Sequence, residues 1–173
     1  MILSESVHIA DVPLVPFSAP SLQVSSVTDI TIAIAGSVPA DDSVVTGFMV
    51  QWQRDTLVGC SDEDDGSIDV NSGFIAEIIP DLEPGNRYFI TATAYNAVGN
   101  GPVSDKVTSS TLETVPSSGP TSVRNTSVTA SSITVQWGEV PCLDRNGRIT
   151  GLQSTSSEKW NGREYDYCFW WQC

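Results

Sequence analysis

The sequence predicts an all-β chain: one complete β-sandwich followed by part of a second. Short runs of β-branched and aromatic residues recur between Gly, Pro, Asn and Asp clusters, and no stretch keeps the 3.6-residue apolar period of an amphipathic helix. The runs also come twice in the same order, about one sandwich length apart.

Each element follows from its alternation. In Ile30-Thr31-Ile32-Ala33-Ile34 large aliphatic residues alternate with smaller ones, the pattern of a strand with one buried face. Phe48-Met49-Val50-Gln51-Trp52 puts Phe48, Val50 and Trp52 on one side. Phe74 to Ile79 reads as a strand whose alternation fails, because Ile75, Ile78 and Ile79 cannot share a face without a bulge. Its register stays open. Tyr88 to Tyr95 is a further strand, with Tyr88, Ile90, Ala92 and Ala94 facing one way.

The repeat carries the most information. Ala19-Pro20 opens a segment reaching Ser25-Ser26-Val27-Thr28-Asp29-Ile30-Thr31-Ile32, and Gly119-Pro120, 100 residues on, opens another reaching Thr126-Ser127-Val128-Thr129-Ala130-Ser131-Ser132-Ile133-Thr134-Val135. Val45-Thr46-Gly47-Phe48 is answered by Ile149-Thr150-Gly151-Leu152. Between the copies, Thr114-Val115-Pro116-Ser117-Ser118-Gly119-Pro120 has the composition of a short, semi-extended spacer.

Leu82-Glu83-Pro84-Gly85-Asn86-Arg87-Tyr88, followed by Ala94-Tyr95-Asn96-Ala97-Val98-Gly99-Asn100-Gly101-Pro102, resembles in order and spacing the loop-and-strand signature of fibronectin type III modules, over about residues 19–113. The resemblance implies a seven-stranded, immunoglobulin-like sandwich in which Leu82 plugs the core and Pro84-Gly85 turns the chain between sheets. Tyr88 would bury its ring and return its hydroxyl to nearby backbone as a tyrosine corner. Asn96 and the glycines Gly99 and Gly101 suit positive-φ positions in the next loop. The Trp usual late in the family's second strand is present as Trp137 in the second copy. In the first, Ile34 takes its place, and Trp52 on the facing strand is expected to restore the volume.

The expected organisation is an unstructured leader over 1–17, a fibronectin type III domain over 18–113, a linker over 114–120, and an incomplete second domain over 121–152. An aberrant aromatic-rich tail over 153–173 completes it. The second copy stops matching after Leu152, where Ser154-Thr155-Ser156-Ser157 gives way to Trp160, Tyr165, Tyr167, Phe169, Trp170 and Trp171, a stretch read as having no alternation. A truncated, alternatively spliced or mispredicted end accounts for that change of character. Half a sandwich leaves Ile133, Val135 and Trp137 uncovered, so residues from 114 onward are expected to be mobile, or held only by docking against the first module or another copy of themselves.

Charge narrows the partners. The chain has 21 acidic against 8 basic side chains, a net −13, and residues 18–113 alone hold 14 against 3. Such a surface repels phosphate backbones and anionic lipid, so nucleic acid is not an expected ligand. A protein ligand would be basic or bridged by divalent ions, met through a loop or sheet edge, and neighbouring repeats of the same family are the other expected partners. No apolar run is long enough for a membrane span, and the first twenty residues do not read as a signal peptide. The family resemblance alone implies an extracellular or cell-surface setting.

No catalytic constellation emerges. The single histidine, His8, lies in the leader, and Cys60, Cys142, Cys168 and Cys173 lack the spacing of a zinc site. No cofactor is expected. Ser61-Asp62-Glu63-Asp64-Asp65-Gly66-Ser67-Ile68-Asp69 follows a calcium loop superficially, but Ser stands at its first position and at its closing one, and the reading favours a solvated acidic loop. Asn146-Gly147-Arg148 and Asn161-Gly162-Arg163 are read as tight turns before adhesion motifs. Asn125-Thr126-Ser127 is the one glycosylation acceptor triplet. The expected function is a non-catalytic interaction or spacer module of a tandem-repeat adhesion protein. The alternative is an ectodomain piece of a receptor tyrosine phosphatase or kinase whose catalytic domain lies outside this chain.

Overall fold

The computed structural model describes residues 14–40, 44–55, 64–152, 154–160 and 163–169, the last two segments as backbone only. The chain divides into two compact units, Met1–Thr114 and Val115–Cys173.

The first unit is a sandwich of two antiparallel sheets. Strands β1 (Ser21–Val27), β2 (Ile32–Ser37) and β5 (Ile75–Ile79) form one in the order β1-β2-β5; β4 (Asp65–Val70), β3 (Gly47–Arg54), β6 (Arg87–Tyr95) and β7 (Asn100–Val103) form the other in that order. Strand β8 (Val107–Ser110) also pairs with β6, so the closing strand is split in two. Ser104 spans the break: its N–H donates to Ala92 O at 2.8 Å, and its Oγ accepts the Ala92 N–H at 2.9 Å.

Alternation builds the core. Ile32, Ile34, Ile75 and Ile79 face inward from one sheet, and Phe48, Val50, Val70, Tyr88, Ile90, Ala92 and Ala94 from the other. Burying each large aliphatic side chain is worth about 1.5–3 kcal/mol. The doubtful register of the 74–79 strand resolves without a bulge, since β5 pairs with β2 uninterrupted from Ile75 to Ile79. Ile75 and Ile79 are buried, and Ile78 turns outward at 57% exposure. One exposed isoleucine costs less than a broken hydrogen-bond ladder. The bulge lies instead in β1, between Val24 and Ser26.

The expected leader ends too late. Residues 14–17 pack on this unit: Pro16 is fully buried, and Asn96 Nδ2 donates to Leu14 O at 2.7 Å. A Cβ on Gly101 would sit 2.6 Å from Pro16 O, so glycine there permits the approach. The leader residues 1–13 and His8 lie outside the described residues.

The second unit holds two hairpins. Strands β9 (Arg124–Val128) and β10 (Ile133–Gln136) pair antiparallel, a 3-10 turn spans Cys142–Asp144, and β11 (Ser154–Trp160) pairs with β12 (Arg163–Phe169). That last pair corrects the reading that nothing alternates in the tail. Trp160 stands opposite Arg163, and the sequence between them is Asn161-Gly162. Asn-Gly between β-forming runs is a strong hairpin signal, and Tyr165, Tyr167 and Phe169 do recur at every second position.

The repeat is visible in atomic detail. Thr28 Oγ1 accepts the Thr31 N–H at 2.9 Å and lies 2.7 Å from Thr31 Oγ1; Thr129 does the same with Ser132 at 2.9 and 2.7 Å. Val27 pairs with Ile32 as Val128 pairs with Ile133, and each hairpin shifts register one pair beyond the next. This register puts Gly36, not Ile34, at the place of Trp137, which corrects the substitution expected from the sequence. Burial separates the copies: Ile32 and Ile34 are 0% and 2% exposed, whereas Ile133 and Val135 are 64% and 42% exposed. Trp137 is exposed too.

The expected spacer 114–120 joins the second unit's own fold. Ser117 Oγ and Ser118 Oγ donate to the Asp144 carboxylate at 2.9 and 2.8 Å, and Asn146 Nδ2 donates to Val115 O at 2.9 Å.

Candidate protein-interaction surface

Three structural devices present the loops and edges of the first unit. At the corner before β6, Leu82 is buried and Gly85 takes φ 65°, the left-handed region that glycine enters without strain. The Tyr88 ring is fully buried and its hydroxyl accepts the Glu83 N–H at 2.8 Å, the expected return to backbone. The same hydroxyl also donates to the Asp64 carboxylate, a partner the sequence reading did not foresee. Burial first, and then the Asp64 hydrogen bond, hold the Tyr88 proton well above the usual tyrosine range.

In the loop after β6, Asn96 works differently from expectation. Its φ is not positive; its Oδ1 instead accepts the N–H groups of Val98 and Gly99 at 2.9 and 3.2 Å. An Asx turn of this kind replaces backbone pairing with a side-chain acceptor. Gly99 supplies the positive φ, at 157°.

Trp52 is half-buried against the core and lies over Gly66 on the neighbouring strand. A Cβ at residue 66 would come within 2.4 Å of Trp52 Cζ2, so only glycine fits beneath the ring.

That packing changes the meaning of the acidic segment. Asp65 to Val70 is strand β4 at the edge of its sheet, not a loop. Asp65 and Asp69 lie four residues apart along it, about 13 Å in an extended chain, too far to share one ion with ligand distances of about 2.4 Å. Asp64 accepts from Tyr88, and Asp69 Oδ1 accepts from the Tyr95 hydroxyl at 2.7 Å, which raises the Tyr95 pKa. Asp62 and Glu63 lie outside the described residues.

The three basic side chains of this unit are committed internally. Arg87 Nε donates to Asp55 Oδ2 at 2.7 Å, Lys106 Nζ stands 4.5 Å from the Phe89 ring centroid, and Arg54 is buried. The exposed charge of β4 is therefore negative.

In the second unit, Asn146 and Gly147 take φ values of 51° and 145°, and the chain bends at Gly147 in the first Asn-Gly-Arg triplet. Asn125 is exposed on β9 opposite Val135. Cys142 is disulfide-bonded. No helix among the described residues is long and apolar enough to cross a membrane.

Similar proteins agree with this architecture. Mouse protein sidekick-2 is 46% identical over 81 residues, 47% of this chain and 4% of its own length. The chicken cell adhesion molecule DSCAML1 is 27% identical over 145 residues, 83% of this chain and 7% of its own length. The chain thus spans a small fraction of either relative. Among solved structures, the third fibronectin III domain of the human KIAA0343 protein superposes with a TM-score of 0.52 at 20% identity, covering 69% of this chain and 98% of that domain. The family model for the fibronectin type III domain matches residues 18–110. With more than half of the chain inside that match, and a two-sheet β-sandwich observed strand by strand, the chain belongs to the fibronectin type III family.

Proposed function

We propose that the chain is a non-catalytic interaction or spacer module of a tandem-repeat cell-surface adhesion protein. The observation that carries this reading is the duplicated β1-β2 hairpin, reproduced turn bond for turn bond in β9-β10, which supports reading the chain as part of an array of like modules. Similarity to a protein named as a cell adhesion molecule over 145 residues supports the adhesive setting. The disulfide at Cys142 fits an oxidising, extracellular compartment.

The acidic edge strand β4 is the surface best suited to a ligand. Asp65 and Asp69 are exposed on it, and the module's own cations are engaged elsewhere. A protein partner with a basic face is favoured there, together with neighbouring repeats of the same family. Sequencing the full-length transcript beyond codon 173 tests the reading. Further fibronectin type III repeats without a catalytic domain are expected. A phosphatase or kinase domain downstream would instead make this a receptor-enzyme ectodomain.

A further inference from the structure

Val24 and Ile34 stand opposite one another in the first hairpin, and both pack toward the core. Their counterparts in the second hairpin are Asn125 and Val135, again directly opposite. Residues opposite each other in an antiparallel ladder share a face, and so do residues two apart on a strand. Asn125 therefore shares its face with Val135, Ile133 and Val128. Arg124 and Gln136, the next pair, take the reverse face and hydrogen-bond there at 3.2 Å.

An asparagine thus occupies the position that a partly buried valine, packed against the core, holds in the first copy. Closing a second sheet over it would bury an amide, at about 1–3 kcal/mol if unpartnered. The same asparagine heads Asn125-Thr126-Ser127, and all three residues are exposed. The Cys142 disulfide adds an independent pointer, because the secretory route that oxidises cysteines is also where oligosaccharide is transferred to such triplets.

We infer that Asn125 carries an N-linked oligosaccharide, and that this glycan lies over the apolar face of Val128, Ile133 and Val135 and keeps it from pairing with other chains. The donor is an oligosaccharide held on a lipid diphosphate. Asn125 Nδ2 loses one proton and bonds to the anomeric carbon, while the bond from that carbon to the phosphate oxygen breaks and the lipid diphosphate leaves with the electron pair. The inference rests on the cell-surface reading above.

The full chain, led into the secretory route of cultured animal cells by an appended cleavable signal, is collected from lysate and medium and treated with peptide-N-glycosidase F. The wild-type chain is expected to shift by one glycan, as is Ser127→Thr, which keeps the acceptor hydroxyl. Asn125→Gln and Ser127→Ala are expected not to shift. A wild-type chain unshifted in both fractions overturns the site. Sedimentation velocity tests the shielding: the enzyme-released chain and Asn125→Gln should self-associate at concentrations where the glycosylated chain is monomeric. Identical sedimentation of all three overturns the shielding. Because the appended signal imposes the route, a missing glycan counts against Asn125 and not against the cell-surface reading, which the transcript decides.

Discussion

The Tyr88 hydroxyl accepts the Glu83 N–H and donates to Asp64, so removing it strands a partly buried backbone donor as well as a carboxylate. Tyr88→Phe is expected to cost about 1–3 kcal/mol, and Tyr88→Ala about 3–5 kcal/mol through the cavity; denaturant melts equal to wild type for both would displace Tyr88 from the corner. The raised pKa gives a second readout. In the unfolded chain Tyr88 ionises near its ordinary 10.0, whereas burial and Asp64 hold the proton on in the folded one. The unfolded state thus sheds protons first, so this contribution is whole below pH 10 and is lost as pH rises through the higher folded value. Wild-type stability should fall more steeply above pH 10 than that of Tyr88→Phe, and parallel profiles would refute the coupling. Tyr95, raised chiefly by its bond to Asp69, titrates in both proteins and cancels from the comparison.

At the scale of elements, close approaches set what each strand tolerates. Gly66→Ala would force the Trp52 ring off β4 and should cost about 1–3 kcal/mol, as overpacking does; an unchanged urea midpoint would show that the ring has room to move. Deleting residues 1–17 instead of 1–13 removes buried Pro16 and the Leu14 carbonyl that Asn96 engages. The longer deletion should lower stability by about 1–3 kcal/mol, and equal melting of the two would mean that this segment adds nothing. Composition could not reveal that segment's role, because its contacts are made with Asn96 and Gly101, some 80 residues away in sequence.

For the whole molecule, the two hairpins of common design have different fates. The first is covered by a second sheet, and the second leaves Val128, Ile133 and Val135 exposed. A two-stranded sheet alone is marginal in water, so hydrogen exchange should be slow in β2, β3 and β6 and fast in β9 and β10. Strong protection at Ile133–Gln136 in a dilute, unglycosylated monomer would mean that another part of the chain covers that face. The charge is divided as unevenly as the burial: residues 18–113 hold 14 acids and 3 bases, while residues 115–173 hold 5 of each. Self-association of the chain is therefore opposed by charge through its first unit and not through its second.

The sequence by itself determined the all-β class, the duplicated hairpin, and the corner built on Leu82, Gly85 and Tyr88. The first two are written locally, in period-two alternation and turn residues, whereas the corner came through the resemblance of Leu82 to Pro102 to the fibronectin type III signature. The sequence also contained the Asn-Gly between β11 and β12, although the run of aromatic residues obscured the alternation there. Only the tertiary structure decided that Ile78 faces outward, that Gly66 yields to Trp52, that Asp64 and Asp69 serve tyrosine hydroxyls, and that Gly36 matches Trp137. The reason is physical. Alternation tells which residues of a strand share a face, but which neighbour lies across the ladder or the core depends on register between segments far apart in the chain, and a one-residue change of register reverses every face.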